Sequence, residues 1–397
     1  MRAAVILDAL AADYLVHLLV IPLSAGTAAV DAGAIAARWP VRVAVHASLT
    51  LDPLYELIAR LKDPEERLAA RLAYPKAELC RFATSASIDE ATRAFGTTAF
   101  DEVHVFRAYM APFADPYLRA SPERRPRCRL DLDDHECVTR GRLADLHDRN
   151  GDRAAAALER SESRKYAALE ARYLPLFDRV YVCSERDRLE VGGQHGCRHL
   201  AVIPNAVRIP CAQVTPRSEG PPTLLFVGNL GYYPNDDAVR FLCGEILPEL
   251  RARVPAPVRV LVVGAHPSPA LARLCAEQGA TLARAVPDVA PYYDQATLVV
   301  VPLRAGGGTR IKLLEAFAYR RPVVSTTLGA EGIDAHHEQH LLVADTPADF
   351  ARQCARLIET PALGRALTEH AFALVTSRHT VEAVRERLRL DHRHEEA

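Results

Sequence analysis

A strand, a glycine loop and a helix follow one another in the stretch Val299-Val-Val-Pro-Leu-Arg-Ala-Gly-Gly-Gly-Thr-Arg-Ile-Lys-Leu-Leu-Glu-Ala-Phe-Ala-Tyr319. Its β-branched beginning predicts a buried strand, and the three glycines allow a backbone to approach a ligand closely. The helix predicted from Thr309 would point its free N–H groups and its positive dipole end at this loop, which suits a phosphate group. The stretch therefore predicts a strand–loop–helix unit of an α/β sheet that binds an anion at the loop.

Two cations, Arg310 and Lys312, stand in the first turn of that helix. A cation at a helix N-terminus is unfavourable by about 0.3–1 kcal/mol, and a bound anion would offset this cost. The alternative is a tight loop with solvated charges and an i,i+3 pair between Lys312 and Glu315. We expect the anion site. It is not a Walker loop, which requires Gly-Lys-Ser/Thr after four spacer residues, and Gly228-Asn-Leu-Gly231 lacks the third glycine of a dinucleotide fingerprint.

Short β-branched runs alternate with helical stretches on both sides of this unit. Such alternation predicts parallel sheets with helices on both faces. Strands are expected at residues 18–21, 41–46, 103–106, 128–133, 180–183, 201–203, 223–227, 258–263, 298–302 and 322–325. Helices are expected at residues 2–11, 51–71, 153–177, 234–253, 268–278, 309–319, 348–358, 363–374 and 381–389.

A proline- and glycine-rich run without apolar periodicity separates two such blocks. It includes Pro210, Pro216 and Gly220-Pro-Pro222, and it indicates a linker between domains. We expect two doubly wound, Rossmann-like α/β domains facing a cleft, with ligands beyond the strand C-termini. The predicted limits are 1–210 for the N-terminal domain, 211–222 for the linker, 223–376 for the C-terminal domain and 377–397 for a helix with a charged tail.

The composition is that of a globular protein. Of 397 residues, 49% are apolar and 25% charged, close to the average soluble domain. The formal net charge of −1 argues against a nucleic-acid binder that works through bulk charge. No run of 18 apolar residues predicts a membrane span. Asp8 and Asp13 interrupt the apolar core that a signal peptide would need, so we expect a cytoplasmic protein.

The nine cysteines are scattered, and none forms a Cys-x-x-Cys pair. This spacing indicates neither a disulfide framework nor a zinc site. Cysteines within apolar runs, as in Val180-Tyr-Val-Cys183, are interpreted as small core residues. We therefore expect no metal and a reducing compartment.

Acidic residues end one N-terminal strand, in Cys128-Arg-Leu-Asp-Leu-Asp133 followed by Asp134. Alternation along a strand would send Asp131 and Asp133 to one face, while Asp134 begins the next loop. At a strand end that faces the cleft, these carboxylates would orient hydroxyl groups of an acceptor or donor. Capping and turn formation is the equal alternative.

Basic residues near the same strands have more than one interpretation. Arg107 lies just beyond the strand 103–106 and is a candidate contact to an acceptor or a phosphate. An arginine patch that precedes Leu130 would meet anionic lipid headgroups at a membrane surface, or else form a solvated loop. His135 is interpreted as a surface loop residue. The patch consists of Arg124, Arg125, Arg127 and Arg129.

Taken together, these pieces resemble the retaining glycosyltransferases of family 4, which have the GT-B fold. The segment from Leu224 to about Thr376 looks like their donor-binding domain, and the first half carries similar acceptor-domain landmarks. The donor-side pieces are Phe226-Val-Gly-Asn-Leu230, Tyr233-Pro-Asn235, Val262-Val-Gly264, Val286-Pro-Asp288, Tyr292-Tyr293, Gly306-Gly-Gly-Thr-Arg-Ile-Lys-Leu-Leu-Glu-Ala316, Arg321-Pro-Val-Val-Ser325, Gly329-Ala-Glu-Gly332 and Leu341-Leu-Val343. The acceptor-side pieces are Val103-His-Val-Phe-Arg107, Leu130-Asp-Leu-Asp-Asp134 and Val202-Ile-Pro-Asn205.

The resemblance implies transfer of a sugar from a nucleotide diphosphate sugar, with retention of configuration, in cell-surface polysaccharide or glycolipid synthesis. No cofactor or metal is implied, because fixed N–H groups and cations stabilise the charge on the leaving diphosphate. The implied donor-binding residues are Gly228, Asn229, Gly306, Gly307, Gly308, Thr309 and Glu315. The implied catalytic residues are Arg310, Lys312, Asp133 and Asp134, with Arg107 and Asp131 on the acceptor side.

The sequence departs from the family pattern at three places. Members commonly carry two glutamates, of which Glu315 matches the second, while Gly307 takes the place of the first. This leaves open a nucleotide-sugar epimerase of the same fold or a catalytically silent binding subunit. Asn229 and Leu230 stand where many members have a basic pair, a function that Arg310 and Lys312 would take over. Residues 2–11 resemble the helix that follows the family's first strand, so we expect the leading edge of the first sheet to be absent or displaced.

Overall fold

The computed structural model describes residues 2–23, 30–46, 50–210 and 220–394. The chain divides into two compact units, Met1–Ile203 with Arg385–Ala397, and Pro204–Val384. Most of the expected linker, residues 211–219, lies outside the described residues, as does the end of the charged tail. No helix in the described ranges is long and apolar enough to cross a bilayer.

The first unit contains two parallel sheets. The strands β3 to β6 form a four-stranded sheet in the order β3-β4-β5-β6, while β1 and β2 pair with each other. The strands are β1 His17–Val20, β2 Arg42–Val45, β3 Glu102–Phe106, β4 Arg127–Asp131, β5 Arg179–Val182 and β6 Leu200–Val202. The helices are α1 Arg2–Asp13, α2 Ala32–Arg38, α3 Pro53–Arg60, α4 Pro64–Ala73, α5 Ser85–Arg93, α6 Asp115–Leu118, α7 Glu136–Arg149, α8 Arg153–Tyr173 and α9 Glu185–His195.

The helices α2, α5, α6, α7 and α9 are additions to the sequence prediction, and two predicted elements of this unit have different bounds. The single helix expected at 51–71 is two helices, because Asp63 caps α4 by accepting from the N–H groups of Glu65 and Glu66 and Pro64 begins a new first turn. The strand expected at 128–133 ends at Asp131, and Asp133 has a φ of 55°. Asp133 therefore lies in the loop, and it does not share a strand face with Asp131.

The second unit is built around one six-stranded parallel sheet in the order β12-β11-β10-β7-β8-β9. Its strands are β7 Thr223–Val227, β8 Arg259–Val263, β9 Ala280–Ala283, β10 Leu298–Val301, β11 Val323–Ser325 and β12 Leu342–Val343. Its helices are α10 Tyr233–Phe241, continued by a π turn Leu242–Ile246 into α11 Leu247–Arg253, then α12 Pro269–Glu277, α13 Ala290–Gln295, α14 Ile311–Ala318, α15 Pro347–Glu359 and α16 Pro361–Arg378. The last helix, α17 Val381–His394, begins in this unit and belongs to the first unit from Arg385 onward. The short strand β9 is an addition to the prediction.

Burial explains why these strands read as continuous apolar runs. Leu224 and Leu225 on β7 and Val299 and Val300 on β10 are fully buried, as expected for central strands covered on both faces. The eight cysteines among the described residues are buried free thiols, which confirms their interpretation as core residues.

The strand order of the second unit has one switch point. The chain runs from β7 outward through β8 and β9, then returns to β10 on the other side of β7, where Leu298 pairs with Leu224 and Val299 with Leu225. In such sheets the crevice beyond the carboxyl ends of the two central strands is where ligands bind. Here that crevice is bordered by the loops that lead into α10 and α14.

Candidate functional site

The Lys312 side chain extends from the first turn of α14 to the end of β7. Its Nζ donates to Asn235 Oδ1 over 2.6 Å and lies 4.3 Å from the centroid of the Phe226 ring. A Cβ atom on Gly228 would lie only 2.9 Å from this Nζ, so the glycine makes room for the ammonium group. Burial, followed by the nearby charge of Arg310, lowers the pKa of Lys312 to about 7.

A second glycine brings the ends of β7 and β8 close together. A Cβ on Gly264 would lie 1.9 Å from the backbone oxygen of Gly228, so no other residue fits there without a backbone shift. Asn229 stabilises the same turn: its Oδ1 accepts from Gly231 N over 3.1 Å, and its backbone oxygen accepts from Asn235 Nδ2 over 2.8 Å. The geometry gives Asn229 a part in shaping the loop around the ammonium group.

The glycine loop before α14 adopts backbone conformations that favour glycine. Gly306 has a φ of 112° and Gly308 a φ of 64°. Arg310 is the N-cap residue, so the helix begins at Ile311, two residues after the predicted start. The Arg310 guanidinium donates to the backbone oxygens of Gly307 and Leu328. Within the described part of the chain, the buried Thr309 Oγ1 has no hydrogen-bond partner.

Glu315 lies one turn further along α14 and is positioned by an aromatic pair. Tyr293 Oη donates to Glu315 Oε2 over 3.2 Å, and the Tyr293 ring stacks on Tyr319 with centroids 4.4 Å apart. Burial raises the pKa of Glu315. The carboxylate is thus held in one orientation near Lys312 with acceptor capacity to spare.

Sequence reasoning missed three residues that complete this site. Asn235 accepts a hydrogen bond from the Lys312 ammonium group, and Tyr293 donates one to the Glu315 carboxylate. Arg304 makes a bidentate pair with the buried Asp237 at 2.7 and 2.9 Å. The Arg304 pair joins the glycine loop to α10. Asn235 and Tyr293 belong to segments that the resemblance already named, but only the fold shows that their side chains meet Lys312 and Glu315.

In the first unit, the loops after β3 and β4 meet through an arginine. Arg107 Nη2 lies 2.5 Å from Asp133 Oδ2, and Nη1 lies 3.4 Å from Glu136 Oε1. Arg107 has a φ of 78° and Asp133 a φ of 55°, a rare conformation for residues with a Cβ that concentrates at functional sites. Burial raises the pKa of Asp133 against the opposing effect of Arg107.

Asp131 has a different environment from its predicted acceptor-side partners. It is fully buried, and its Oδ1 accepts from Arg2 Nε over 2.8 Å. Arg2 also donates to the backbone oxygen of Ile203 over 2.7 Å. These contacts make Asp131 part of the interior, where it supports the strand end that carries the Asp133 loop.

The structure also shows the surroundings of the neighbouring residues Asp134 and His135. Asp134 accepts from Thr139 Oγ1 over 2.8 Å. His135 is buried, so its interpretation as a surface residue was wrong: its ring lies 3.4 Å from the Glu170 carboxylate. Although burial acts to raise the pKa of Glu170, hydrogen bonds from His135 and His195 lower it to about 2.

The arginine patch is smaller than predicted. Arg129 is buried and donates to Glu102 on the neighbouring strand β3 over 2.7 Å. Arg125 pairs with Asp178 over 2.9 Å. Arg124 and Arg127 are the exposed members of the four.

Comparisons with known proteins agree with this architecture. Residues 221–360, all within the second unit, match the family model described as glycosyl transferases group 1. They include Gly228, the glycine loop, Lys312 and Glu315, so this segment is a group 1 glycosyltransferase domain. No curated protein sequence matches the chain.

Several solved structures share the fold at low sequence identity. OtsA has a TM-score of 0.63 at 13% identity, with 98% of this chain and 95% of that chain covered. Anabaena HepE in complex with UDP and glucose has a TM-score of 0.57 at 13% identity, with coverage of 94% and 90%. TarM has a TM-score of 0.59 at 14% identity, but this chain spans only 57% of its length while 76% of this chain is covered. The predicted GT-B fold is confirmed.

Proposed function

We propose that this chain is a glycosyltransferase that moves a sugar from a nucleoside diphosphate sugar to an acceptor hydroxyl with retention of anomeric configuration. The observation that carries the proposal is the Lys312 ammonium group at the switch point of a group 1 glycosyltransferase domain. It lies against Gly228, is held by neutral groups, and adjoins a glycine loop at a helix start. A diphosphate is the anion that this combination of a cation and helix N–H groups suits.

Each residue of the site has a proposed role. Lys312, Arg310 and the first-turn N–H groups of α14 stabilise the negative charge that develops on the leaving diphosphate. Glu315, held by Tyr293, accepts hydrogen bonds from the donor ribose. The Gly306–Gly308 backbone approaches the sugar where the family commonly has a glutamate.

For residues of the first unit, we propose roles in binding the acceptor. Arg107 and Asp133 occupy strained loop positions, and with Asp134 they are proposed to orient hydroxyl groups. We propose that Asp131 positions neighbouring residues and does not contact the acceptor itself, because its carboxylate accepts a hydrogen bond from Arg2. Acceptors from cell-surface polysaccharide or glycolipid synthesis are the proposed class.

A ligand panel tests this function. The intact chain is screened by thermal shift against UDP, GDP, ADP and a set of their sugar conjugates, beginning with UDP-glucose because HepE has been solved with it. We expect one nucleoside diphosphate to stabilise the chain and its sugar conjugate to be hydrolysed slowly without an acceptor. Absence of stabilisation by every nucleotide would contradict the proposal.

Gly307 favours one second candidate, a catalytically silent binding subunit, because the family's sugar-contacting glutamate is replaced there. Such a subunit would bind the nucleotide sugar tightly and leave it intact over a long incubation. An epimerase would convert the sugar and release free nucleotide. Product analysis by mass spectrometry and NMR distinguishes the three outcomes.

A further inference from the structure

Four side chains with metal-binding atoms converge inside the first unit, far in sequence from the glycine loop. They are His135 and Cys137 at the start of α7, Glu170 on α8 and His195 at the end of α9, named here the His135 cluster. Their ligand atoms all lie within 4.8 Å of one another. All four side chains are buried, those of His195 and Glu170 being 3% and 0% exposed.

Three distances within the His135 cluster are close to the edge lengths of a metal tetrahedron. Glu170 Oε2 lies 3.4 Å from His135 Nε2 and 3.1 Å from His195 Nε2. Cys137 Sγ lies 3.2 Å from His135 Nε2. Zinc bonds of about 2.0–2.1 Å to nitrogen and oxygen, and about 2.3 Å to sulfur, give tetrahedral edges of roughly 3.3–3.6 Å.

The short contacts converge on two atoms. His135 Nε2 lies close to both Cys137 Sγ and Glu170 Oε2, and a single imidazole N–H donates to only one of them. Without a metal, Glu170 Oε2 accepts from both imidazoles through its two lone pairs. A cation that accepts one lone pair from each of the four groups would satisfy all of them together.

We infer that the His135 cluster is a structural zinc site. Two imidazoles, a thiolate and a carboxylate are the ligand types that zinc takes, and four buried protein ligands leave no open position of the kind that a catalytic zinc needs. Gln194 Nε2 lies 3.3 Å from Cys137 Sγ and would stabilise the thiolate from outside the ligand shell.

A bound zinc ion would cross-link three helices of the first unit. It joins α7, α8 and α9, and its first ligand directly follows the loop of Asp133 and Asp134. Zinc would thereby hold this loop in its strained conformation. The metal would position that loop, and it would take no part in making or breaking bonds during sugar transfer.

Metal content and cobalt spectroscopy test the inference without any sugar substrate. The full chain is produced in zinc-supplemented medium and analysed by mass spectrometry of its metals, and we expect about one zinc per chain. Exchange with Co²⁺ should produce a thiolate-to-cobalt charge-transfer band. Cys137→Ser should abolish the band and weaken zinc binding more than about tenfold, and His195→Ala should weaken it similarly.

Cys197→Ser is the matched control. Cys197 is a buried thiol of the same unit that also lies beside a histidine, His199, at 3.5 Å, and its substitution should leave metal content and band unchanged. A folded wild-type chain that takes up neither Zn²⁺ nor Co²⁺ would mean a hydrogen-bond network only, which overturns the inference. A band that persists in Cys137→Ser overturns it too. Should that variant fail to fold, the wild-type cobalt spectrum alone decides between the two results.

Discussion

Two sites, one in each unit, hold buried cations in opposite ways. In the first unit, Arg2 and Arg107 are matched by the carboxylates of Asp131 and Asp133. In the second unit, the Lys312 ammonium is held by an amide oxygen and an aromatic ring. A buried carboxylate neutralises its cation within the protein, whereas an amine held by neutral groups is available to a ligand anion, which favours its protonated form.

The sequence predicted ligand contacts at both places, and the structure separates them. Lys312 adjoins glycines with positive φ, whereas Asp131 and Arg2 are buried inside the first unit. Four predictions test this contrast. Three substitutions come first, from the largest expected change in free energy to the smallest, and a pH dependence follows.

Removal of Asp131 should give the largest effect, and the effect should be on stability. Asp131→Ala leaves the Arg2 guanidinium buried without its carboxylate, which typically costs about 3–5 kcal/mol. Denaturant unfolding of the full chain measures this loss. Glu185→Gln is the control: Glu185 forms an exposed pair with Arg188, and its loss should cost less than about 1 kcal/mol. Equal losses of unfolding free energy in the two variants would contradict a structural role for the buried Arg2–Asp131 pair.

Lys312→Ala should impair ligand binding without a comparable loss of stability. A hydrogen bond to a charged group contributes about 1.5–3 kcal/mol, which corresponds to roughly a 10–150-fold rise in the nucleoside diphosphate Kd and the donor KM. Titration calorimetry and initial-rate kinetics measure these constants. Lys62→Ala, an exposed lysine of the first unit, is the control and should bind like the parent. Unchanged donor kinetics in Lys312→Ala would refute the role of this residue.

Gly228→Ala should displace the ammonium group while leaving Lys312 in place. The added Cβ would meet Lys312 Nζ at 2.9 Å and Asn235 Cγ at 3.0 Å, so we expect about a tenfold weaker nucleotide affinity, or about 1.4 kcal/mol. Gly244→Ala is the matched control, because its Cβ meets nothing within 4 Å. That control should bind normally and unfold at the same or a slightly higher temperature.

The fourth prediction is a pH dependence that Lys312 imposes. Its pKa is about 7 in the folded chain against an ordinary 10.5, so between these values the unfolded chain binds more protons. The contribution to the free energy of unfolding therefore rises with pH across that window and is lost as pH falls through 7. A bound diphosphate favours the protonated amine, so nucleotide affinity should fall above pH 7 with uptake of a proton.

Calorimetry in buffers of different ionisation enthalpy measures this proton uptake. Lys312→Arg is the control, because arginine stays charged throughout the range. Its nucleotide affinity should be independent of pH between 7 and 10. A parent chain that binds nucleotide equally well at pH 7 and pH 9 would contradict the assignment.

Local elements were largely predictable because their signals are local. The strand before the glycine loop and the helix after it follow from β-branched residues, glycines and helix formers within one stretch. The break at Pro64 was missed although Asp63 and Pro64 are a capping signal, since the apolar pattern runs through it. The strand Ala280–Ala283 was missed because it lacks a β-branched run.

By itself, the sequence determined the alternation of strands and helices, the glycine loop and the cations of α14. These features depend on residues that are neighbours along the chain, so backbone sterics and helix geometry suffice to predict them. Only the tertiary structure decided which charges are neutralised and which polar atoms meet. Asn235 reaches Lys312 because β7 and β10 are adjacent in the sheet, and the His135 cluster combines residues of three helices with no common spacing. Such contacts depend on strand order and helix packing, which bring together groups that no local pattern connects.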